Sequence, residues 1–285
     1  MYSIGVDIGG TKIAAGLIDD RGKILKFYKC ETEAKKSKEI IVKNILNAIN
    51  SVYDKKLIKK NNFRGIGIGV PGNIDEKGNI IQLPNVPKLR NINLKEYISK
   101  KYKCKSAVNN DANCFALSEA VFGAGKGKKN VVGVIIGTGV GSGIITDQKI
   151  YNGTDFLAGE FGMIPYNNKI IEEFCAWRFV KRRLKQEKIN IHYSDLFKTK
   201  NNKITKIFNE YSKHLAQLCA IIICSVNPDV IVFGGGVAED FDNYKKSLKK
   251  ELNKLLKYKR TKKTLLKRKK LESPGIRGAA LLLRQ

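Results

Sequence analysis

Short runs of apolar residues, separated by glycines and small polar clusters, dominate the first part of the chain. Runs of this length, bounded by turn residues, are typical of β-strands. The segment DIGGTK forms the first predicted turn and DDRGK the second, and a later apolar run ends at Pro71 and Gly72. The pattern predicts five strands here, over Tyr2 to Ile8, Lys12 to Ile18, Lys23 to Tyr28, Gly65 to Val70 and Ser106 to Asn109.

Apolar residues spaced three or four positions apart predict the helices. From Ser37, a plausible N-cap, to Tyr53 this spacing predicts one shared face, made of Ile40, Ile41, Ile45, Ile49 and Val52. Further helices are predicted from Ala112 to a stop at Gly123, over His214 to Val226, through the lysine-rich segment near the end, and over Gly275 to Leu283.

The strand–turn–strand pattern occurs twice, once near Gly9 and once near Gly139. The second occurrence, NVVGVIIGTGVGSGIITDQKIY, reads as two strands around a glycine turn, and DVIVFGGG adds a strand that runs into another glycine turn. A repeated unit of strands and helices favours an α/β protein of two similar lobes with a cleft between them. The boundary is expected near Gly123.

The composition is that of a globular protein, with 42% hydrophobic residues among 285. The sequence has no apolar run long enough for a membrane span, and it enters a strand-like segment without a signal-peptide pattern. We therefore expect a cytoplasmic protein. The six cysteines are scattered and form no C-x-x-C pair, which indicates buried free thiols rather than a disulfide framework or a zinc knuckle.

The formal net charge of +28 is the unusual bulk property of the chain. The segment from Lys245 to Lys270 contains fourteen Lys or Arg residues and one acidic residue. A segment of this kind can bind nucleic acid or an acidic membrane surface, or it can be a solvated helical face in a lysine-rich composition. Because Tyr258 is the only aromatic residue there, we favour the solvated face and expect no nucleic-acid or membrane partner.

Three glycine turns follow predicted strands: Gly9-Gly10-Thr11, Gly137-Thr138-Gly139 and Gly234-Gly235-Gly236. Successive backbone amides in such turns form concavities that bind anions. A single glycine turn is weak evidence, since most are merely tight turns, but three of them, each at the end of a predicted strand, predict phosphate binding. The sequence contains no G-x-x-x-x-G-K-[ST] motif, and GTGVGSG joins two strands instead of opening a helix, so neither a P-loop nor a dinucleotide fold is indicated.

Asp7 stands beside the first glycine turn, where a carboxylate would repel a phosphate. A divalent cation removes this conflict, because a carboxylate can hold Mg²⁺ or its bound waters beside nucleotide phosphates. Thr11 and Thr138 supply hydroxyl groups at two of the turns. Lys12 either neutralises phosphate charge or points into solvent; the sequence leaves both alternatives open.

Seven motifs in a fixed order now define a resemblance: DIGGTK, GIGIGVPG, NNDAN, FGAGKG, IIGTGVGSGII, AGEFG and NPDVIVFGGG, from Asp7 to Gly236. Together they resemble the ROK sugar-kinase family, which has the actin/hexokinase-like (RNase H-like) α/β fold of two domains with an active-site cleft between them. The resemblance implies ATP-dependent phosphorylation of a hexose or N-acetylhexosamine at O6, a requirement for Mg²⁺, closure of the cleft and a homodimer. We expect residues 1–123 with 275–285 to form the smaller domain and residues 124–274 the larger one.

Asp111 is the candidate catalytic base, because phosphoryl transfer needs a proton acceptor beside the attacking hydroxyl. From the residues alone, an aspartate at the start of a helix is equally a helix cap; the resemblance favours catalysis. The resemblance also implies where the substrates bind. The sugar contacts are Gly72, Asn110, Asp111 and Glu160, the phosphates lie along Gly10 and Thr138, and the nucleoside lies near Gly234 and Gly235. The GEFG segment around Glu160 is alternatively an ordinary exposed turn.

The chain departs from the family pattern after Glu160. Many members have a histidine where this chain has Met163, followed by a cysteine cluster that completes a zinc site; no such cluster follows here, so we expect no zinc. Glu172 matches the family's sugar-contacting glutamate, with Glu173 as the neighbouring alternative. Zinc-free family members that resemble this chain include N-acetylmannosamine kinases, and an apolar Met163 near the sugar would suit an acetamido methyl group better than a bare hydroxyl group. The resemblance therefore favours N-acetylmannosamine, ahead of glucose and then fructose or another hexose.

Two other classes compete with a kinase. Relatives that act as transcriptional repressors carry a helix-turn-helix before the first strand, and only six residues precede Asp7 here, so we expect no such module. A catalytically inactive sugar-binding relative is disfavoured because Asp7, Thr11, Asp111 and Thr138 are all present. The two histidines, His192 and His214, are poor catalytic candidates.

Overall fold

The chain folds into two units, one formed by Met1–Gly127, Gly143–Ala158 and Lys270–Gln285, the other by Lys128–Ser142 and Gly159–Lys269. A computed structural model describes residues 1–59, 61–191, 196, 201–259 and 261–285, without the side chain of Lys262. Both units combine a sheet with helices, as an α/β class requires.

The first unit is organised around a five-stranded mixed sheet. Its strands are β1 (Tyr2–Ile8), β2 (Lys12–Asp19), β3 (Ile24–Glu31), β4 (Phe63–Val70) and β7 (Ser106–Asn110), in the order β3-β2-β1-β4-β7. Strands β1, β4 and β7 are parallel, whereas β2 and β3 are antiparallel to their neighbours. The carboxyl ends of the three parallel strands therefore lie at one edge of the sheet. A small hairpin, β5 (Asn73–Ile74) with β6 (Ile80–Gln82), follows β4.

Four helices cover this sheet: α1 (Lys38–Val52), α2 (Leu94–Tyr102), α3 (Asp111–Val121) and α8 (Pro274–Leu281). Four of the five predicted face residues of α1 are fully buried, namely Ile41, Ile45, Ile49 and Val52. Ile40 is 37% exposed, so its assignment to the buried face was wrong. Ile41 and Ile45 are one helical turn apart, and Ile40 lies about 100° around the helix from Ile41, outside the buried arc.

Helix α8 packs unusually closely against α3 and the sheet because glycines stand at the contacts. A Cβ atom added to Gly278 would overlap the carbonyl oxygen of Cys114, and one added to Gly67 would overlap that of Ala279. These contacts bring helix and sheet backbones together without intervening side chains. The C-terminal segment is thus an integral layer of the first unit.

A buried carboxylate fixes the chain where this segment re-enters the first unit. Glu119 is fully buried on α3, and its oxygens accept hydrogen bonds from the backbone amides of Ala124, Lys270 and Leu271, at 2.8–3.2 Å. Three backbone donors compensate much of the desolvation of the carboxylate. Glu119 therefore ties the end of α3 to the start of the C-terminal segment.

In the second unit, β8 (Asn130–Ile136), β13 (Val230–Gly234) and β14 (Leu265–Arg268) form a parallel array, and β9 (Val140–Thr146) lies beside β8. The last residues of β9 belong to the first unit, where they pair with β10 (Lys149–Ile150). The described residues of the second unit also form short 3₁₀ helices, a small hairpin and several α-helices. The hairpin and the α-helices are β11 (Pro165–Tyr166), β12 (Lys169–Ile170), α4 (Ile171–Cys175), α5 (Trp177–Gln186), α6 (Asn202–Val226) and α7 (Phe241–Leu255).

The structure corrects several predicted bounds. Helix α6 begins at Asn202, twelve residues before the predicted start, because its first half is amphipathic and buries only one side, including Ile207 and Tyr211. The lysine-rich segment is not helical throughout: α7 ends at Leu255, and β14 occupies the later part. The short strands β5, β6, β10, β11, β12 and β14 and the helix α2 were not predicted. No described helix combines the length and the apolar composition that a bilayer crossing requires.

Candidate active site

The predicted site residues of the first unit converge on the carboxyl ends of its parallel strands. Asp7 is the penultimate residue of β1 and is aligned with Gly69 of β4, and Asn110 is the last residue of β7, aligned with Val70. Gly72 follows β4, and Asp111 is the first residue of α3. In open α/β sheets, ligands bind outside this edge.

Three of these residues are joined directly at the start of α3. The side-chain amide of Asn110 donates to the carbonyl oxygen of Gly72 at 3.2 Å, while its Oδ1 accepts from the backbone amides of Ala112 and Asn113. Asn110 is therefore the N-cap of α3, a role that the sequence allowed for Asp111. Asp111 lies one position further, with its Oδ1 also accepting from Ala112. The structure thus assigns the cap to Asn110 and brings Gly72, Asn110 and Asp111 together.

A set of hydrogen-bonded asparagines supports the corner formed by Gly72, Asn110 and Asp111. Asn109 accepts from the side chain of Asn113 at 2.9 Å and from the backbone amide of Asn110 at 2.7 Å, and it donates to Asn152 at 3.1 Å. Asn109 and Asn113 are both buried. This network restricts the backbone conformation of Asn110 and the start of α3, and so the direction in which Asp111 projects.

The first glycine turn, between β1 and β2, is held by a residue that sequence reasoning missed. The buried Thr32 donates through its hydroxyl to the carbonyl oxygen of Gly9 at 2.6 Å, and through its amide to that of Thr11 at 2.9 Å. Thr11 and Lys12 are exposed, and a Cβ atom on Gly10 would approach Asn85. The turn is fixed from behind, while the side chains of Thr11 and Lys12 face outward.

Asp7 has an unfavourable electrostatic environment for its charged form. Burial raises the pKa of its carboxyl group from 3.8 to about 6, against a smaller lowering effect of the Lys29 charge. One carboxylate oxygen lies so close to Gly275 that a side chain there would be excluded. A half-buried carboxylate without a contacting cation in the described part of the chain suits a bound Mg²⁺, which typically takes one or two protein carboxylates together with substrate phosphates.

The raised pKa predicts that Asp7→Asn stabilises the protein in the absence of ligands. A folded-state pKa above the unfolded value means that wild-type stability falls as the pH rises from about 4 to about 6. Removing the charge should therefore raise the free energy of unfolding by about 1–3 kcal/mol at pH 7.5, with little difference near pH 4. Urea unfolding at both pH values, with the exposed Asp155→Asn as the control, measures this; a destabilised Asp7→Asn protein at pH 7.5 would contradict it.

In the second unit, the predicted nucleotide residues end two neighbouring parallel strands. The turn Gly137-Thr138-Gly139 follows β8, and Gly234 ends β13, where it is aligned with Ile135 of β8. Gly235 has a φ of +80°, and a Cβ atom there would overlap the carbonyl oxygen of Ile136, so a glycine is required. The structure therefore places both glycine segments side by side at the carboxyl end of one sheet.

Glu172 contacts the glycine turn that follows β8. Its Oε2 accepts from the amide of Val140 at 2.8 Å, and its Oε1 forms an ion pair with Arg178. Glu173 pairs with the same arginine at 3.3 Å and has no such contact with the turn. This geometry favours Glu172 over Glu173 as the residue beside a bound substrate; the sugar contact itself stays a prediction.

Glu160 lies close enough to Glu172 for the two carboxylates to interact. Burial, and secondly the charge of Glu172, raise the pKa of Glu160. The segment that carries Glu160 is fixed by Ser142, whose hydroxyl group donates a hydrogen bond to the carbonyl oxygen of Gly159. Met163, two residues beyond Phe161 in the same short 3₁₀ helix, is 48% exposed. The segment is thus a partly buried acidic site with an exposed apolar neighbour.

Among the residues that the structure describes, no three His, Cys, Asp or Glu side chains are grouped as metal ligands. Cys175 is buried in α4, where burial raises the pKa of its thiol well above the ordinary value. The absence of zinc stays a prediction. His214 is half-buried among Tyr166, Phe174 and Phe179, and burial lowers its pKa, which fits a packing role. His192 lies outside the described residues, as does Arg260 within the lysine-rich segment.

The model of the ROK family matches residues 3–285, and the chain belongs to this family. Three curated relatives illustrate its range. The chain is 29% identical to a glucokinase from Thermotoga maritima and 31% identical to an N-acetylgalactosamine kinase from Shewanella sp., in both cases over 82% of each chain. It is 29% identical to an N-acetyl-D-glucosamine kinase from Histophilus somni, over 98% of this chain and 97% of the relative.

Solved structures have the same fold over the whole chain. A ROK hexokinase from Thermus thermophilus superposes with a TM-score of 0.85 at 24% identity, covering 99% of this chain and 97% of the other. A ROK glucokinase from Streptomyces griseus, in complex with glucose and AMPPNP, gives 0.81 at 27% identity over the full length of both. A ROK transcriptional regulator also matches, at 0.84 and 18% identity, over 100% of this chain and 78% of its own. The fold is the predicted actin/hexokinase-like α/β fold.

Proposed function

We propose that the chain transfers the γ-phosphoryl group of ATP to O6 of an N-acetylhexosamine, with N-acetylmannosamine as the first candidate. The chain is a carbohydrate kinase, a phosphotransferase with an alcohol group as acceptor, and its kinase relatives support this class. The proposal is carried by one observation: the hydrogen-bonded corner of Gly72, Asn110 and Asp111 at the ends of adjacent parallel strands.

In the proposed mechanism, Asp111 accepts the proton of the attacking hydroxyl group. Asn110 caps α3 and contacts Gly72, so the carboxylate next to it projects from a fixed helix start. A base held in this way needs no reorganisation when the sugar binds. Hydroxyl groups are both donors and acceptors, and paired groups such as Asn110 with Asp111, and Glu160 with Glu172, can orient them.

The nucleotide is assigned to the glycine turns. Backbone amides at Gly9, Gly10 and Thr11 and at Gly137, Thr138 and Gly139 would contact phosphates, and Gly234 with Gly235 would lie near the nucleoside. Asp7 would hold Mg²⁺ through its bound waters, and Lys12 would neutralise further charge. When bound, Mg²⁺ supplies the positive charge that offsets phosphate repulsion. On the basis of the family resemblance, we also propose that the protein forms a homodimer.

The choice of an N-acetyl sugar rests on Met163. Its side chain is exposed directly after the Glu160 segment, and an apolar thioether suits an acetamido methyl group better than a bare hydroxyl group. Glucose is the second candidate, because the glucokinases of Thermotoga maritima and Streptomyces griseus are similar to the chain over most of its length. Fructose or another hexose follows.

A panel of acceptor sugars tests the proposal. We expect ATP turnover to require a sugar, and kcat/KM to be at least ~10-fold higher for N-acetylmannosamine than for glucose, fructose, N-acetylglucosamine or N-acetylgalactosamine. Met163→Ala should lower kcat/KM for the preferred N-acetyl sugar several-fold and leave glucose unchanged. A preference for glucose would replace the first candidate by the second.

Two other results would contradict the proposal that the chain is an active kinase. No sugar-dependent ADP release with any acceptor, together with sugar binding, would indicate an inactive sugar-binding relative. Salt-dependent binding to operator-like DNA without kinase activity would indicate a regulator, a class that shares this fold.

A further inference from the structure

Arg178 bridges two neighbouring carboxylates in the second unit. It is the second residue of α5, and its guanidinium contacts Glu172 through Nη2 and Glu173 through Nη1, the latter at 3.3 Å. Both glutamates lie on α4, the helix directly before α5. A planar guanidinium offers several fixed donors, so one arginine can satisfy two carboxylates at once.

The same region is tied to the glycine turn by two further hydrogen bonds. Glu172 accepts from Val140 with the oxygen that does not face Arg178, and Trp177 donates its backbone amide to the carbonyl oxygen of Gly137 at 2.9 Å. A Cβ atom on Gly139 would come within 2.5 Å of the Glu172 carboxylate. Glu172 is therefore held from both sides, by the turn and by the arginine.

Arg178 also supplies the positive charge that this acidic group needs. Glu160, Glu172 and Glu173 are partly buried, and burial raises the pKa of Glu160, with the negative charge of Glu172 as the second cause. Without a cation beside it, the Glu172 carboxylate could reduce its repulsion with Glu160 by rotating away. That rotation would remove the oriented acceptor that a sugar hydroxyl requires.

We propose that Arg178 is a positioning residue for the acceptor sugar, which fixes the Glu172 carboxylate against the glycine turn. The inference deepens the proposed function and rests on it. Arg178 acts through Glu172, so its loss weakens sugar binding and leaves the nucleotide contacts of the turn in place. Because the arginine is 41% exposed, it contributes little to global stability.

Arg178→Gln tests this inference against a matched control on the same helix. Arg183→Gln breaks a comparable half-exposed ion pair, with Glu210 at 3.0 Å, away from the glutamates of α4. We expect Arg178→Gln to raise the KM for the sugar at least ~10-fold, change kcat less than ~3-fold and leave the KM for ATP unchanged. Arg178→Lys keeps the positive charge but lacks the planar guanidinium with its several donors, so it should recover part of the sugar affinity. Arg183→Gln should match the wild type.

Sugar affinity can also be measured without turnover. Trp177 is the only tryptophan in the sequence and precedes Arg178 directly, so we expect its fluorescence to change when sugar binds to the wild type or to a variant. A wild-type enzyme with sugar-dependent turnover but an unchanged sugar KM and Kd in Arg178→Gln would overturn the inference alone, as would an equal loss in Arg183→Gln. A wild type without sugar-dependent turnover would overturn the proposed function instead. If Arg178→Gln fails to fold, Arg178→Lys decides, because a wild-type KM in that variant contradicts a need for a guanidinium that contacts Glu172 and Glu173 at once.

Discussion

Asp111→Asn should fold normally and lose at least ~10²-fold in kcat. The asparagine has nearly the same size and can still accept the hydrogen bond from Ala112, and the cap of α3 is supplied by Asn110. The substitution therefore leaves the helix start in place. It removes the one group in this corner that can take a proton from an attacking hydroxyl group.

The measurement is sugar-dependent ADP release, with thermal unfolding as the check on the fold. Asp155→Asn, an exposed change in the same unit, serves as the control and should keep wild-type turnover. If folded Asp111→Asn turns over at a near-normal rate, Asp111 is not the base.

Gly278→Ala should have the largest effect on stability. Helix α8 packs against α3 with no side chain between the backbones, and an added Cβ atom would overlap the carbonyl oxygen of Cys114. Backbone cannot move aside as a flexible side chain can, so the two helices must separate. Since α8 also contacts the sheet closely at Gly67, this separation should lower the free energy of unfolding by at least about 3 kcal/mol.

Thermal unfolding compares this variant with Gly236→Ala. A Cβ atom on Gly236 meets no atom within 4 Å, so that change should leave the unfolding midpoint unchanged. Equal midpoints for Gly278→Ala and the wild type would contradict the close packing of α8 against α3.

The sequence predicted the elements whose signals are local. Strand β1, the glycine turn and strand β2 are encoded by short apolar runs and by glycines, and their predicted bounds differ from the observed ones by at most one residue. The first half of α6 was missed because charged residues interrupt its apolar positions, and only tertiary packing identifies which side is buried. Strand β14 was missed for a similar reason. Its lysine and arginine interrupt the apolar pattern, and the segment forms a strand because it pairs with β13.

The candidate site divides in the same way. Asp7 could be named from the sequence because it stands beside a glycine turn, and Asn110 and Glu160 could be named because the family resemblance implies them. Thr32 and Arg178 could not, since each acts through a partner that is distant in sequence or on another helix. The cap of α3 shows the limit most clearly: Asn110 and Asp111 are adjacent and both suit an N-cap, and only the backbone conformation separates their roles.

The central claim is that Asp111 deprotonates a sugar hydroxyl group. A crystal structure of the protein with the preferred sugar and a non-hydrolysable ATP analogue tests it most directly. We predict a carboxylate oxygen of Asp111 at about 2.6–3.2 Å from O6 of the sugar. A complex in which the sugar is bound but no sugar oxygen lies within reach of Asp111 would contradict the account.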